Sequence, residues 1–286
     1  MKGLLPWIQA CRPKTLVASF VPICVAFKNT FSVNEPNLTS IGLTIGCLFF
    51  IILIQVSTNL ANDFYDGLKG ADNNRFNAPK RFVSSGELCP DKVFLATKIL
   101  LILSFIVGLL VMHFSDASKW LVVVGVICII LSIVYTGGPY PLAYNGLGDI
   151  FVILFFGFVS IELTKYILCV SNNYVFEFSF ILSISVGLLI NNLLIINNYR
   201  DYENDLIYEK KTTIVKFGKR FGKIFFLASL CFPALYSFCY DKYLVLTIIP
   251  IGLFSLHYLT KEISLKNSNI SLSLSSLNVL VFGLFC

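Results

Sequence analysis

Charged residues and histidines are scarce in this chain of 286 residues. Only 13% of the residues are Asp, Glu, Lys or Arg, against about 25% in an average soluble domain. By contrast, 56% are hydrophobic, and the mean hydropathy is +0.79. A water-soluble fold of this length could not cover so much apolar surface. The composition therefore excludes a soluble enzyme and predicts an integral membrane protein surrounded by lipid.

Three further absences narrow the chemistry. Two histidines, His113 and His257, are too few for a histidine-built metal site. The nine cysteines are scattered and form no Cys-x-x-Cys pair, so neither a zinc site nor a disulfide framework is indicated. The net charge of +6 is not accompanied by a basic groove interleaved with aromatic residues, which argues against a nucleic-acid partner. The sequence gives no indication of oligomeric state.

Nine apolar runs predict an all-α, polytopic fold, since a membrane-spanning helix needs about 20 apolar residues. The runs lie near residues 15–33, 41–61, 93–114, 119–137, 147–167, 175–197, 222–240, 243–260 and 270–286. With nine spans, the loops alternate between the two sides of the membrane so that one side holds 17 of the 22 Lys and Arg residues. A count of eight spans would break this alternation. The positive-inside rule then places the N-terminus and the acidic loops in the cytoplasm. We expect a single domain, residues 1–286, in the inner (cytoplasmic) membrane.

Two loops on that side concentrate the acidic residues. Residues 59–91 read NLANDFYDGLKGADNNRFNAPKRFVSSGELCPD, and residues 197–223 read NNYRDYENDLIYEKKTTIVKFGKRFGK. Each loop carries two oxygen-bearing side chains four residues apart, which would share one face of a helix, and glycines in the first loop can turn a third acid toward that face. The candidate metal ligands are Asn62, Asp66, Asp72, Asp201 and Asp205.

This arrangement suits magnesium, which prefers one or two carboxylates together with water and phosphate oxygens. Two such sites facing each other would hold a diphosphate between two Mg²⁺ ions. Cations in the same loops could neutralise the remaining charge: Arg75, Lys80, Arg81, Arg200, Lys210 and Lys211. The alternative interpretation is a solvated rim of charges at the membrane surface.

Two other features have both a functional and a structural interpretation. The link that reads YTGGPYPLAYNGLGD (135–149) could close over a flat aromatic ligand, or it could be a tight turn between spans. Glu162 and Lys165 lie three residues apart within a span, where ionisable groups are often functional. A satisfied ion pair near the outer end of that span is at least as good an explanation.

Together these motifs resemble the UbiA superfamily of intramembrane aromatic prenyltransferases. Its first signature, an Asn followed by spaced aspartates, is matched by Asn62, Asp66 and Asp72, and its second, D-x-x-x-D, by Asp201 and Asp205. RPKTL (12–16), NDFYDGLKGAD (62–72), the 135–149 link and NNYRDYENDLIYEKKT (197–212) are most similar to the branch that acts on 1,4-dihydroxy-2-naphthoate. The last segment departs from that branch, with Glu209 where Gly is expected and Thr213 where Leu is usual.

The resemblance implies nine helices around a central cavity that opens laterally to lipid and is capped by the two aspartate loops, with Mg²⁺ as cofactor and Asp66 and Asp201 as catalytic residues. It also implies transfer of a polyprenyl group from polyprenyl diphosphate to 1,4-dihydroxy-2-naphthoate, with loss of CO₂ and diphosphate, to give demethylmenaquinone. The residues leave 1,4-dihydroxy-6-naphthoate and 4-hydroxybenzoate open as alternative acceptors. The candidate acceptor contacts are Arg12, Lys14, Tyr135, Tyr140 and Asp149.

Two functions of other classes remain. A membrane transporter could carry the same polar loops, although acidic clusters at the membrane edge favour chemistry on a lipid head group. A CDP-alcohol phosphotransferase begins its signature with D-G-x-x-A-R, and Asp66-Gly67 is not followed by Ala-Arg at the required positions.

Overall fold

A computed structural model describes residues 3–70, 79–261 and 264–286, and within these ranges the chain forms helices and loops without a strand. Asp72 and Arg75 lie outside the described residues. We number the principal helices α1 to α11. They are α1 (Leu5–Ala10), α2 (Val17–Thr30), α3 (Leu38–Leu68), α4 (Pro90–Phe114), α5 (Leu121–Val134), α6 (Gly148–Ser171), α7 (Phe180–Arg200), α8 (Tyr202–Ile207), α9 (Thr213–Cys239), α10 (Tyr243–Lys261) and α11 (Leu265–Phe285).

Seven of these described helices are long and apolar enough to cross a membrane: α3, α4, α6, α7, α9, α10 and α11. The segments Leu5–Thr15 and Val17–Thr30 pass the same test together but are bent by 48°, and α5 is a shorter apolar helix of 14 residues. The chain is therefore a multi-pass membrane protein. The count of nine spans, and the side of the membrane on which each loop lies, remain predictions.

Helix α3 is longer than the apolar run that predicted it. It starts at Asn37, whose side chain accepts a hydrogen bond from the Ser40 N–H (2.8 Å), and it continues for 31 residues. No proline interrupts it, and the first left-handed residue after it is Gly70 (φ 68°), which suits a glycine. The helix therefore extends about two turns beyond the apolar run and carries Asn62 and Asp66 with it.

Helix α7 is the most buried of the spanning helices and packs against α6 through two glycines. A Cβ atom at Gly157 would lie 2.5 Å from the carbonyl oxygen of Ser183, and one at Gly187 would lie 2.7 Å from that of Ile153. Any side chain at either position would force the helices apart. This close packing fixes the position of α6 beside the centre of the bundle.

The ends of the bundle differ in chemistry. We call the end at which α3 and α7 terminate the carboxylate end, and the opposite one the far end. At the far end, Lys165 lies 3.6 Å from Glu162 and donates hydrogen bonds to Ser179 Oγ (2.5 Å) and the Glu177 carbonyl (2.8 Å). Glu162 accepts from the Ser183 hydroxyl (2.5 Å) and the Ser179 N–H (3.2 Å). The ion-pair interpretation of these two residues is confirmed.

Candidate active site

A cavity of about 330 Å³ lies between α2, α3, α4, α5, α6 and α7. Helix α3 contributes one continuous stripe to its wall, at helical spacings of three and four residues: Cys47, Phe50, Ile51, Ile54, Gln55, Thr58, Asn59 and Asn62. Fifteen residue steps separate the first of these from the last, so at 1.5 Å per residue the stripe is about 22 Å long. Its side chains are apolar in the deep part and polar from Gln55 onward. The cavity is thus a tube suited to an amphiphile.

The polar mouth of the tube is built where α3 passes the bend between α1 and α2. Gln55 donates a hydrogen bond to the Thr15 carbonyl (2.8 Å) and accepts one from Ser19, and Asn59 donates to the Cys11 carbonyl (3.0 Å). Arg12 sits at this bend in a left-handed conformation (φ 53°) and lines the mouth. The bend therefore places a guanidinium group beside the polar part of the α3 stripe.

Helix α6 forms another wall and contains a π-helical segment, Ile153–Val159. Its lining residues recur every four positions, in adjacent pairs as far as Thr164: Phe151 and Val152, Phe155 and Phe156, Val159 and Ser160, Leu163 and Thr164, and then Ile167. In a regular α-helix each step of four residues drifts by about 40°, so four steps would turn the last of them about 160° away from the first. The wider π turn offsets this drift. It therefore keeps one face of α6 toward the tube over its whole length.

Aromatic rings are part of this wall near the mouth. The rings of Phe151 and Phe155 are stacked, with their centroids 5.7 Å apart and their planes inclined by 11°. Tyr135, at the end of α5, lines the same part of the cavity. The faces of such rings carry negative charge density, which attracts cations.

At the carboxylate end, Asp66 is the centre of a cluster that the sequence motifs did not fully reveal. Its side chain is buried, accepts a hydrogen bond from the Tyr144 hydroxyl (2.7 Å) and lies 3.6 Å from Lys210 Nζ. The ammonium groups of Lys69 and Lys210 lie 3.9 Å and 5.0 Å from the centre of the Tyr144 ring. Desolvation lowers the pKa of Lys69, against the opposing effect of Asp66, and the nearby Lys210 lowers it further. Two ammonium groups beside one carboxylate leave a net positive site that favours an anion.

Backbone contacts bring the two acidic loops together through the 135–149 link. The N–H of Lys211 donates to the Tyr144 carbonyl (3.0 Å), and Lys216 Nζ donates to the Asn145 carbonyl (2.7 Å). Gly146 has a φ of 76°, where a side chain would be strained and would meet Lys216. The link therefore joins the end of α3 to the start of α9. Sequence reasoning missed Tyr144, since nothing in the spacing separates it from the other tyrosines of this link.

The second pair of aspartates lies beyond the end of α7. Arg200 donates two hydrogen bonds to the neighbouring Asp201, from Nε to Oδ1 (2.8 Å) and from Nη2 to Oδ2 (2.9 Å). Asp205 is buried. Within residues 3–70, 79–261 and 264–286, Nη1 of Arg200, a donor, and Oδ1 of Asn62, an acceptor, are buried and find no hydrogen-bond partner. The first suits an oxyanion and the second suits a cation.

These oxygen donors fit Mg²⁺ in kind, because magnesium is held by few protein ligands and completes its shell with water and phosphate oxygens. In residues 3–70, 79–261 and 264–286, no group of three or more His, Cys, Asp or Glu side chains is gathered closely enough to hold a metal ion by itself. The donor set therefore suits a metal that arrives with a phosphate ligand rather than a closed protein cage.

The remaining predicted site residues are distributed as follows. Lys80 pairs with Glu87 at the surface, Arg81 is half-buried, and the side chains of Lys14, Tyr140 and Lys211 are exposed. Asp149 is buried but is not among the residues that line the described cavity; it accepts hydrogen bonds from Thr213 (2.5 Å) and Asn191 (3.0 Å). Of the five predicted acceptor contacts, the structure thus brings only Arg12 and Tyr135 to the cavity. Of the other three, Lys14 and Tyr140 are exposed, and Asp149 is engaged in contacts between helices.

Asp63 also has a role that the motifs did not indicate. Its buried carboxylate accepts hydrogen bonds from the backbone N–H groups of Phe82 (3.2 Å) and Val83 (3.3 Å). It therefore anchors the chain that enters α4 rather than facing the cavity.

Comparison with known proteins gives a consistent result. The sequence profile described as the UbiA prenyltransferase family matches residues 19–277. A 1,4-dihydroxy-2-naphthoate octaprenyltransferase of Haemophilus influenzae is 30% identical over 248 residues, which are 85% of this chain and 78% of the relative. The enzyme of the same name from Mycobacterium leprae is 32% identical over 218 residues, or 76% and 71% of the two chains.

Solved structures with a similar fold include a UbiA homolog from Archaeoglobus fulgidus. It has a TM-score of 0.62 and 17% sequence identity, and the match covers 98% of this chain and 97% of that one. The same homolog bound to GPP and Mg²⁺ has a TM-score of 0.60 at 16% identity. At this level of identity the likeness concerns the fold alone.

Proposed function

Because this chain belongs to the UbiA prenyltransferase family, we propose that it transfers a polyprenyl group from polyprenyl diphosphate to 1,4-dihydroxy-2-naphthoate. The observation that carries the proposal is the tube itself. Its deep part is apolar, its mouth is polar, and Asp66, Lys69 and Lys210 gather just beyond the mouth. A long apolar tail that ends in a diphosphate matches this succession of apolar and charged regions. The names of the relatives support the naphthoate as acceptor.

The diphosphate would lie between the two acidic segments. Asn62 and Asp66 on α3, and Asp201 and Asp205 beyond α7, would hold Mg²⁺, which when bound neutralises the diphosphate and eases its departure. Lys69, Lys210 and Nη1 of Arg200 would donate hydrogen bonds to its oxygens. Because these groups are fixed before the substrate arrives, they stabilise the charge that develops on the leaving group.

The allylic carbon would then lie at the polar mouth. The bond between this carbon and the diphosphate oxygen breaks, and the diphosphate leaves with the electron pair. The apolar wall on the inner side of the mouth excludes water, which would otherwise capture the carbocation. Phe151, Phe155 and Tyr135 present aromatic rings on this part of the wall, where they can stabilise positive charge.

The acceptor completes the reaction from the mouth. An electron-rich ring carbon of the naphthalenediol forms the new carbon–carbon bond, and the ring becomes aromatic again when the carboxylate leaves as CO₂. The product is the prenylated naphthalenediol, the reduced form of demethylmenaquinone. Arg12 is the cation nearest to this chemistry that lines the cavity, and we assign it to the acceptor carboxylate.

The experiment that tests this function is a panel of acceptors incubated with purified protein, Mg²⁺ and a polyprenyl diphosphate, read by mass spectrometry. We expect 1,4-dihydroxy-2-naphthoate to gain the prenyl mass and lose CO₂. Monocyclic 4-hydroxybenzoate should react poorly, because it offers a smaller face to the aromatic wall. Faster reaction of 4-hydroxybenzoate than of either this naphthoate or the 1,4-dihydroxy-6-naphthoate isomer would contradict the acceptor assignment, whereas prenyl transfer itself would stand.

We also propose that the carboxylate end faces the cytoplasm, with the protein in the inner membrane, since this end carries most of the Lys and Arg residues. Two native thiols can test this orientation, because Cys89 is exposed at the start of α4 and Cys239 is exposed at the far end of α9. Two variants would each retain a single cysteine of the nine, either Cys89 or Cys239. A membrane-impermeant maleimide should label the first only from the cytoplasmic side and the second only from the opposite side. Labelling of Cys89 from outside intact cells would contradict the proposed orientation.

A further inference from the structure

One aromatic ring of the tube wall lies in a recess formed by two glycines. Phe50 of α3 faces Gly108 of α4 and Gly125 of α5, and all three residues line the cavity. A Cβ atom at Gly108 would lie 3.2 Å from Cε2 and 3.3 Å from Cδ2 of the Phe50 ring, and one at Gly125 would lie 3.8 Å from Cζ. The absence of a side chain at Gly108 thus creates space that the ring occupies, whereas a Cβ atom at Gly125 would only make ordinary contact with the ring. A larger residue at Gly108 would push the ring toward the interior of the tube.

The depth of this ring in the tube can be converted into tail length. Phe50 precedes Asp66 by sixteen residues on one continuous helix, which is about 24 Å at 1.5 Å per residue. An isoprene unit adds four backbone bonds, whereas an extended residue adds three and spans about 3.3–3.6 Å. One unit therefore spans about 4.5 Å by the same proportion. A tail whose diphosphate lies at Asp66 reaches the ring at about its fifth isoprene unit.

Beyond the ring, the cavity is lined by Cys47, Met112, Leu121 and Ile167, and three of these residues belong to a buried apolar cluster. The tail of an eight-unit donor is about 36 Å long by the same proportion, so it must extend past the ring. Since the whole cavity measures about 330 Å³, a phenyl ring displaced into it would obstruct much of the passage. A tail longer than about five units therefore depends on where this ring sits.

We propose that Phe50, held in the recess between Gly108 and Gly125, determines which lengths of prenyl donor the protein accepts. The inference rests on the proposed prenyl transfer and adds a specificity-determining residue to it. Donors of two or three units end before they reach the ring. Longer donors pass it only while the recess keeps the ring out of the tube.

The test compares two donors, geranyl diphosphate with two units and octaprenyl diphosphate with eight, on variants at these positions. Gly108→Val should lower kcat/KM for the eight-unit donor at least about 10-fold, since overpacking forces the ring inward, and should change the two-unit value by less than about twofold. Adding Phe50→Leu to Gly108→Val should restore most of the loss. Gly42→Val on α3, where an added Cβ meets nothing within 4 Å, is the matched control and should leave both values unchanged.

The single variant Phe50→Leu keeps the proposal testable if Gly108→Val does not fold. It widens the passage, so the ratio of eight-unit to two-unit kcat/KM should rise at least about threefold. Equal losses for both donors in Gly108→Val, no rescue by the second substitution, or an unchanged ratio in Phe50→Leu would each overturn the proposal. Failure of the unmodified protein to use either donor would instead overturn the proposed function.

Discussion

Substitution of Asp66 by Asn should lower turnover at least about 100-fold, the loss expected when about 3 kcal/mol of charge stabilisation is removed. The same loss is expected for Asp201→Asn. Asp66 is buried between Tyr144 and Lys210 at the end of the tube, so Asn there keeps the shape and removes the charge. Steady-state assays with the naphthoate and a polyprenyl diphosphate measure the effect. In the unmodified protein, a chelator should abolish activity and added Mg²⁺ should restore it.

Asp91→Asn is the matched control, because it removes the same charge at a position away from the tube. Asp91 lies exposed in the first turn of α4. This substitution should leave turnover within about twofold of the original, as surface substitutions usually do. Near-normal turnover in both Asp66→Asn and Asp201→Asn would remove the arrangement of two acidic segments around one diphosphate. Activity that persists in the presence of a chelator would contradict the proposed requirement for Mg²⁺.

The parts of this site that depend on local structure could be predicted from the sequence. The spacing of Asn62 and Asp66 alone predicts that they share one helical face, and α3 does extend past both. The start of α9 was harder to place, because residues 213–221 are basic and amphipathic rather than apolar. A short helical segment begins at Thr213, where the Thr212 side chain accepts a hydrogen bond from the Val215 N–H (3.3 Å), and the chain is kinked at Gly218 (φ 84°) before the spanning part of α9. Hydropathy detects apolar segments and cannot find a cap.

The contacts that depend on tertiary structure could not be predicted in the same way. Tyr144 reaches Asp66 across 78 positions of sequence, and Asp149 meets Thr213 across 64. Tyr135 and Tyr140 are five positions apart in one link, yet the first lines the cavity and the second is exposed. Such differences arise from how the link folds onto α3 and α9. Periodicity carries no information about that packing.

The wall of α6 shows the same limit within a single helix. A regular helical pattern would not have predicted that residues every four positions from Phe151 to Ile167 face one cavity. The π segment that aligns them lies where Gly157 packs closely on Gly187 of α7. Neither glycine indicates this contact in the sequence, because its partner is on another helix.

Replacement of Arg12 by Gln should lower kcat/KM for 1,4-dihydroxy-2-naphthoate by about 10- to 100-fold, which corresponds to the roughly 1.5–3 kcal/mol of a hydrogen bond to a charged group. Arg12 lines the mouth of the tube, where the acceptor must meet the allylic carbon. Gln keeps a polar side chain but removes the cation that we assign to the acceptor carboxylate. The KM for the donor should change little, because Lys69 and Lys210 are retained. Initial rates at varied acceptor and at varied donor concentrations separate the two effects.

A second acceptor decides whether Arg12 acts on the carboxylate or only shapes the bend between α1 and α2. 1,4-Dihydroxynaphthalene lacks the carboxylate, so its rate of prenylation should be nearly the same with Arg12 and with Gln at this position. Lys14→Gln removes an exposed cation two residues away and should leave both acceptors unaffected. If Arg12→Gln slowed the two acceptors equally, the guanidinium would be holding the backbone rather than the substrate. If Arg12 binds the carboxylate directly, its replacement should slow only the acceptor that carries a carboxylate. A structural defect would slow both acceptors, because it would not distinguish the two rings.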